Sequence, residues 1–325
     1  MNQVTDIPEK LKKIQQEIGK AVVGNEEVIR QIITAVLAGG HVLLEGAPGL
    51  GKTLVIKSVG TVMGLDTGRI QFTPDLMPGD IIGTDVLVRD DKAGQGVVFR
   101  KGPVFTNILL ADEINRGTPK TQSALLEAMQ ELTVTVGGVS YLLDPPFTVL
   151  ATQNPIEMEG TYPLPEAQMD RFFFKISVTY PGRDELSLIA ERTTGLALPE
   201  LSSAVNREEI LAVKEMIREI PVPQAVKEYA VSLVQYSHPD GEHSPGDIKR
   251  YVRYGSSPRG VISLILAGKV SALFEGRYNV GFEDIRNSAY PALRHRLILN
   301  FEGEAEGKTP EDMIAVLLNR VPEHI

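Results

Sequence analysis

Apolar residues recur at helical spacing in two stretches near the start of the chain: Leu11, Ile14 and Ile18 within residues 9–20, and Val28, Ile32, Ile33 and Val36 within residues 25–38. A period near 3.6 places each set on one helical face, so the pattern predicts two amphipathic helices broken by the turn VVGN at 22–25. The pattern then changes. HVLLE (41–45), NILLAD (107–112), FTVLATQ (147–153) and FFFKISV (172–178) are apolar runs without polar alternation. Such runs suit strands covered on both faces, as in a parallel sheet. KTLVIKSVGTVMG and PKTQSALLEAMQE, which follow the first two runs, carry helical spacing, and the alternation predicts an α/β fold.

Two segments interrupt the alternation as hairpins. LVR (87–89) and VVF (97–99) flank DDKAGQG, and TVTV (133–136) and VSYLL (139–143) flank Gly137-Gly138. They read as insertions into the α/β unit, with edge strands of the main sheet as the alternative. Beyond YPGRDE (180–185) only helical patterns follow, among them REEILAVKEMIREI and PRGVISLILAGKVSALFEG. A boundary near Gly182 therefore divides an α/β domain, 1–182, from an α-helical domain, 183–325.

The chain has 325 residues, 42% hydrophobic and 23% charged, enough for two cores. A net charge of -9 argues against a protein that coats nucleic acid or anionic membrane with its whole surface. It has no cysteine, which excludes disulfides, thiolate metal sites and cysteine nucleophiles. The N-terminal stretch lacks an apolar signal core, and no run approaches the roughly 18 apolar residues of a membrane span. A cytoplasmic location is the expectation.

GAPGLGKT, 46–53, lies between an apolar strand and a helical pattern, the context of a P-loop. Its glycines let successive N–H groups turn toward phosphate oxygens at a helix N-terminus. Lys52 would neutralise β and γ phosphates, and Thr53 would offer its hydroxyl to Mg²⁺. In ILLADEINR, Asp112 suits a Mg²⁺ ligand acting through water and Glu113 a general base for an attacking water, which points to ATP hydrolysis. Asn154 in ATQNP can orient that water or meet the γ phosphate without adding charge. Arg171, in LPEAQMDRF, stands before an apolar run and needs an anionic partner, which Asp170 need not be. Arg259 follows Ser257-Pro258 in the first turn of a predicted helix, where the dipole opposes it and something else must hold it. Arg116 could reach a neighbour's site or cap the strand-end turn.

Taken together, GAPGLGKT, LLADEINR, ATQNP, LPEAQMDRF and SPRG resemble the MoxR family of AAA+ ATPases over nearly the whole chain. The resemblance implies a P-loop AAA+ core with a five-stranded parallel sheet, two inserted β-hairpins and an α-helical lid, assembled as a ring, usually a hexamer. It implies ATP and Mg²⁺ as cofactors. Asn154 then resembles sensor 1, Arg259 resembles sensor 2, and Arg171 resembles an arginine finger directed at the next subunit's γ phosphate. VVGN resembles the segment lining the adenine pocket. The nucleotide-binding residues carried over are Val23, Gly24, Gly46, Ala47, Pro48, Gly49, Leu50, Gly51, Lys52, Thr53, Leu54 and Asp112, with Thr53 and Asp112 toward the metal.

The family implies a chaperone-like ATPase that remodels or matures client protein complexes, often with a partner carrying a von Willebrand factor A domain. The alternatives are a nucleic-acid motor and the ATPase subunit of a metal chelatase. KRYVRY (249–254) interleaves basic and aromatic residues as a nucleic-acid surface can, but no DNA-binding module accompanies it. A guanine signature is missing, which disfavours GTP. His238 and His243 lack the further ligands of a metal site. GEAEG, 303–307, reads as a solvated loop.

Overall fold

The computed structural model describes residues 7–47, 49–90, 94–154, 160–195 and 199–323. Pro48 of the P-loop, the hairpin residues 91–93, residues 155–159 after Asn154, and His324 lie outside the described residues.

Two helices lead in, α1 (Ile7–Ala21) and α2 (Glu26–Ala38), followed by β1 (Val42–Glu45), α3 (Lys52–Val62) and β2 (Thr67–Gln71). The short α4 (Pro78–Ile82) leads into the first hairpin, β3 (Gly83–Asp90) and β4 (Gly94–Lys101). Next come β5 (Ile108–Asp112), α5 (Pro119–Glu131), the second hairpin β6 (Thr133–Val136) and β7 (Val139–Leu142), then β8 (Thr148–Gln153), α6 (Glu166–Met169) and β9 (Phe174–Ser177). The remaining elements are α7 (Arg183–Thr194), α8 (Arg207–Glu219), α9 (Gln224–Gln235), α10 (Gly246–Tyr251), β10 (Val252–Tyr254), α11 (Pro258–Phe274), α12 (Phe282–Leu293), β11 (Ile298–Leu299), α13 (Phe301–Ala305) and α14 (Pro310–Arg320).

Five strands form one parallel sheet in the order β2-β5-β8-β1-β9. The absence of polar alternation in its central strands has a direct cause. Val42 and Leu44 of β1, Ile108 and Leu110 of β5, and Leu150 of β8 enter the core shared with α1–α3 and the C-terminal helices. Their alternates Leu43, Leu109, Ala111, Val149 and Ala151 enter the core on the opposite face, beside α5. Period-2 geometry sorts one continuous apolar run into two buried layers.

The edge strand β2, TGRIQ, buries only Ile70 well and carries exposed polar neighbours, so it lacks the apolar run that marks the other four. The hairpins are separate two-stranded sheets and not edges of the main one. They meet through Phe99 and Tyr141, whose rings stack at 4.2 Å. The C-terminal half is not wholly helical: β10 and β11 pair antiparallel. GEAEG is likewise no loop, because α13 covers most of it, and Glu302 just before it and Glu306 within it pair with Arg250 at 2.6 and 2.7 Å. The triple phenylalanine run enters strand only at Phe174, and Phe172 and Phe173 lie in the bend before it.

Candidate nucleotide site

Because all five strands run parallel, everything that follows a strand collects at one edge of the sheet. The P-loop after β1, Asp112 at the end of β5 and Asn154 after β8 meet there, the position that open α/β sheets give their ligands. Gly49 (φ 83°) and Gly51 (φ 73°) take left-handed backbone, and a Cβ at either would meet nothing within 4 Å, so the loop curls around open space. Lys52 is the first residue of α3; its Nζ donates to the Gly46 carbonyl at 2.7 Å. Burial lowers the pKa of its ammonium, and Asp112, Glu113 and Glu45 act in the opposite direction. A cation held by a curled backbone and three nearby acids fits a phosphate site. Thr53 is next along α3; Leu50 packs onto the core, and Leu54 is half exposed.

Asp112 Oδ1 accepts from Thr152 Oγ1 at 2.6 Å, and Asp112 Oδ2 pairs with Arg69 Nη2 at 2.8 Å. Glu113 has φ 55° and ψ 52°, strained for a residue with a Cβ. Its N–H donates to Thr152 Oγ1 at 2.8 Å, and that bond holds the sharp turn after β5. Glu113 Oε2 accepts from Gln71 Nε2 at 2.9 Å and from Arg116 Nη1 at 3.1 Å, so Arg116 engages its own chain's acid. Asn154 is buried at the end of β8. Sequence reasoning missed Arg69 and Gln71 along with their strand, and passed over Thr152 although it lies within ATQNP. The signal for Arg69 and Gln71 was polar residues alternating around a buried Ile70.

At VVGN, Gly24 and Asn25 both take left-handed backbone before α2. Glu185 of α7 lies where a Cβ on Gly24 would be, so Gly24 is covered from the C-terminal half of the chain. Thr53 and Asp112 fit Mg²⁺ bound through its water shell, which needs only one or two carboxylates.

Arg171 and Arg259 belong to the other edge. Arg171 lies in the turn before β9, half-buried, and Nη1 donates to the Leu126 carbonyl at 2.9 Å. Arg259 lies in the first turn of α11 and pairs with Asp170 Oδ2 at 3.1 Å. Both line one cavity of about 110 Å³ with His41, Met129 and Gln130. His41 precedes β1 while the P-loop follows it, so the length of β1, about 13 Å, separates the two groups. The partner that Arg171 lacked in sequence is not Asp170, whose carboxylate is taken by Arg259 and Arg296.

KRYVRY does not present a free basic stripe. Arg250 is paired twice, and Tyr251 is buried with its hydroxyl donating to Glu306 at 2.8 Å. His238 Nε2 is 3.0 Å from the Ser256 carbonyl oxygen, and no group of three or more His, Cys, Asp or Glu able to hold a metal occurs among the described residues. No helix among the described residues is long and apolar enough to cross a membrane.

A P-loop before a helix, an acidic pair ending the strand one removed from it across β8, and a helical unit packed over the sheet define an AAA+ ATPase fold. The family model described as "ATPase family associated with various cellular activities (AAA)" matches residues 41–174, and an AAA lid domain model matches residues 247–316. Chaperone MoxR1 of Mycobacterium tuberculosis is 41% identical over 305 residues, covering 94% of this chain and 79% of that protein. Protein MoxR of Methylorubrum extorquens is 32% identical over 334 residues, covering 98% and 96%. The crystal structure of a candidate ATPase from Cytophaga hutchinsonii superposes with a TM-score of 0.91 at 42% identity, covering 97% of this chain and 95% of that one. The chain belongs to the MoxR family of AAA+ ATPases.

Proposed function

We propose that this chain hydrolyses ATP with Mg²⁺ in a ring, probing the phosphate of each nucleotide from two subunits, and uses the turnover to remodel client protein complexes. Residues 1–182 act as the nucleotide-binding unit and 183–325 as the lid. The observation that carries the reading is the separation of charges across the sheet. Lys52, Asp112, Glu113 and Asn154 occupy one edge, while Arg171 and Arg259 share a cavity at the other. A pair of arginines that far from its own P-loop serves a phosphate only if another copy brings one to it.

Within one site, P-loop N–H groups and Lys52 hold the phosphates, Asn154 orients the attacking water, and Glu113 takes its proton. Mg²⁺ at Thr53 and Asp112 would neutralise phosphate charge when bound. Remodelling is supported by the exposed apolar hairpin residues Leu87, Val97 and Leu142, 73%, 67% and 78% exposed, which offer protein-binding surface. A partner with a von Willebrand factor A domain fits the same reading.

Glu113→Gln should keep nucleotide affinity within about twofold and cut turnover by roughly 10²- to 10⁴-fold. Turnover near wild type would remove Glu113 as base. Turnover per chain that stays constant on dilution into the monomer range would defeat the ring.

A further inference from the structure

Asp170 gathers groups from both halves of the chain around one carboxylate. Ser257 Oγ donates within reach of both oxygens, at 2.8 and 2.9 Å. Arg296 Nε meets Oδ1 at 2.9 Å and Arg259 Nη1 meets Oδ2 at 3.1 Å. Arg296 is only 5% exposed, and its Nη2 also donates to the Asp170 carbonyl at 3.2 Å and the Phe172 carbonyl at 2.7 Å. Those bonds fasten the turn after α12 to the bend before β9 without help from Arg259.

The Arg259 contact has a different character. Arg259 is 47% exposed, so its pair with Asp170 adds little stability. Its place in the first turn of α11, at the positive end of the helix dipole, is unfavourable for a cation, and a carboxylate there offsets the repulsion. One of its five N–H donors goes to Asp170. The next residue after Asp170 is Arg171, whose guanidinium likewise spends one donor, on Leu126, and the two arginines line the same cavity.

We propose that Asp170 is a positioning residue: it fixes Arg259 of the lid beside Arg171 of the core so that the two are presented as one preset pair to an anionic group on a second copy. The proposal rests on the trans reading above. An anion entering the cavity meets both arginines already oriented, which lowers the reorganisation needed at the moment of reaction.

The test mixes inactive variants. Asp170→Asn should bind ATP within about twofold of wild type yet turn over roughly 10- to 100-fold more slowly, as a displaced catalytic group does. Mixed with Glu113→Gln, it should regain activity, because the Glu113→Gln subunits supply intact arginine pairs to intact Glu113 sites. Arg171→Ala mixed with Glu113→Gln is the control. If the control mixture regains activity and the Asp170→Asn mixture does not, or if Asp170→Asn alone turns over like wild type, the positioning role is overturned while the trans reading stands. If neither mixture regains activity, the trans reading falls and the positioning role with it. Should Asp170→Asn melt early because Arg296 loses its counter-charge, Asp170→Glu, which keeps the charge but shifts the carboxylate, replaces it in the same mixtures with the same outcomes.

Discussion

Arg69 Nη2 lies 2.8 Å from Asp112 Oδ2, so a cation on the sheet's edge strand holds the carboxylate assigned to the metal. On the proposed reading of the site, Arg69 would compete with Mg²⁺ for that oxygen. With Arg69 51% exposed, the pair is worth at most about 1 kcal/mol, or about fivefold in an equilibrium. Arg69→Ala should therefore lower the Mg²⁺ concentration for half-maximal turnover by up to about fivefold. A raised requirement in the Mg²⁺ titration would mean that Arg69 orients Asp112 instead of competing for it.

The imidazole of His41 is locked in one neutral tautomer. The Val149 N–H donates to Nδ1 at 3.0 Å, which leaves Nε2–H to donate to the Met129 carbonyl at 2.9 Å. Burial, with Lys214 nearby, pushes its pKa down to about 4. The folded pKa lies below the unfolded value near 6.5, so the full contribution to stability is present above about pH 6.5 and is lost as pH falls toward 4. The loss amounts to about 3 kcal/mol at the acid end. His295, buried against the Phe172 carbonyl and beside Arg296, shifts the same way. Denaturant midpoints should thus fall steadily between pH 6.5 and 4, and the His41 ring resonances should titrate near 4; titration of His41 near 6.5 would contradict the assignment.

The stack of Phe99 on Tyr141 is the aromatic link between the two hairpins. Tyr141→Ala should cost about 0.5–1.5 kcal/mol beyond the area lost, felt locally and not in the main sheet. Hydrogen exchange should speed up across β3 and β4 and stay unchanged in β1, β5 and β8. Uniform acceleration would place the stack in the global core.

Three of the five sheet strands were legible because a strand buried on both faces is apolar at most positions, as β1, β5 and β8 are in two separate layers, and the edge strand β9 was reached through its phenylalanine run although only Phe174 and Ile176 of the strand are buried. The edge strand β2 escaped notice because one neighbour and one open side leave Thr67, Gly68, Arg69 and Gln71 free to be polar. That same openness is why it supplies Arg69 and Gln71 to the acidic pair. The small β10–β11 ribbon was invisible for a related reason: Val252–Tyr254 and Ile298–Leu299 are too short to set a period.

The sequence by itself determined the fold class and the family, and it supplied the residues proposed for the chemistry. Glycines in GAPGLGKT, the Asp112-Glu113 pair and the apolar runs before them admit few arrangements other than a phosphate site at the end of a parallel sheet. Only the tertiary structure decided which arginine stands where, because the partners of Arg171, Arg259 and Arg296 lie 45 to 126 residues away along the chain. Local pattern records which residues face a core; it holds no record of which distant carboxylate a cation will meet. Arg171 and Asp170 are neighbours in sequence, yet the folding of α11 and α12 over β9 gives Asp170 to the lid and leaves Arg171 facing the cavity.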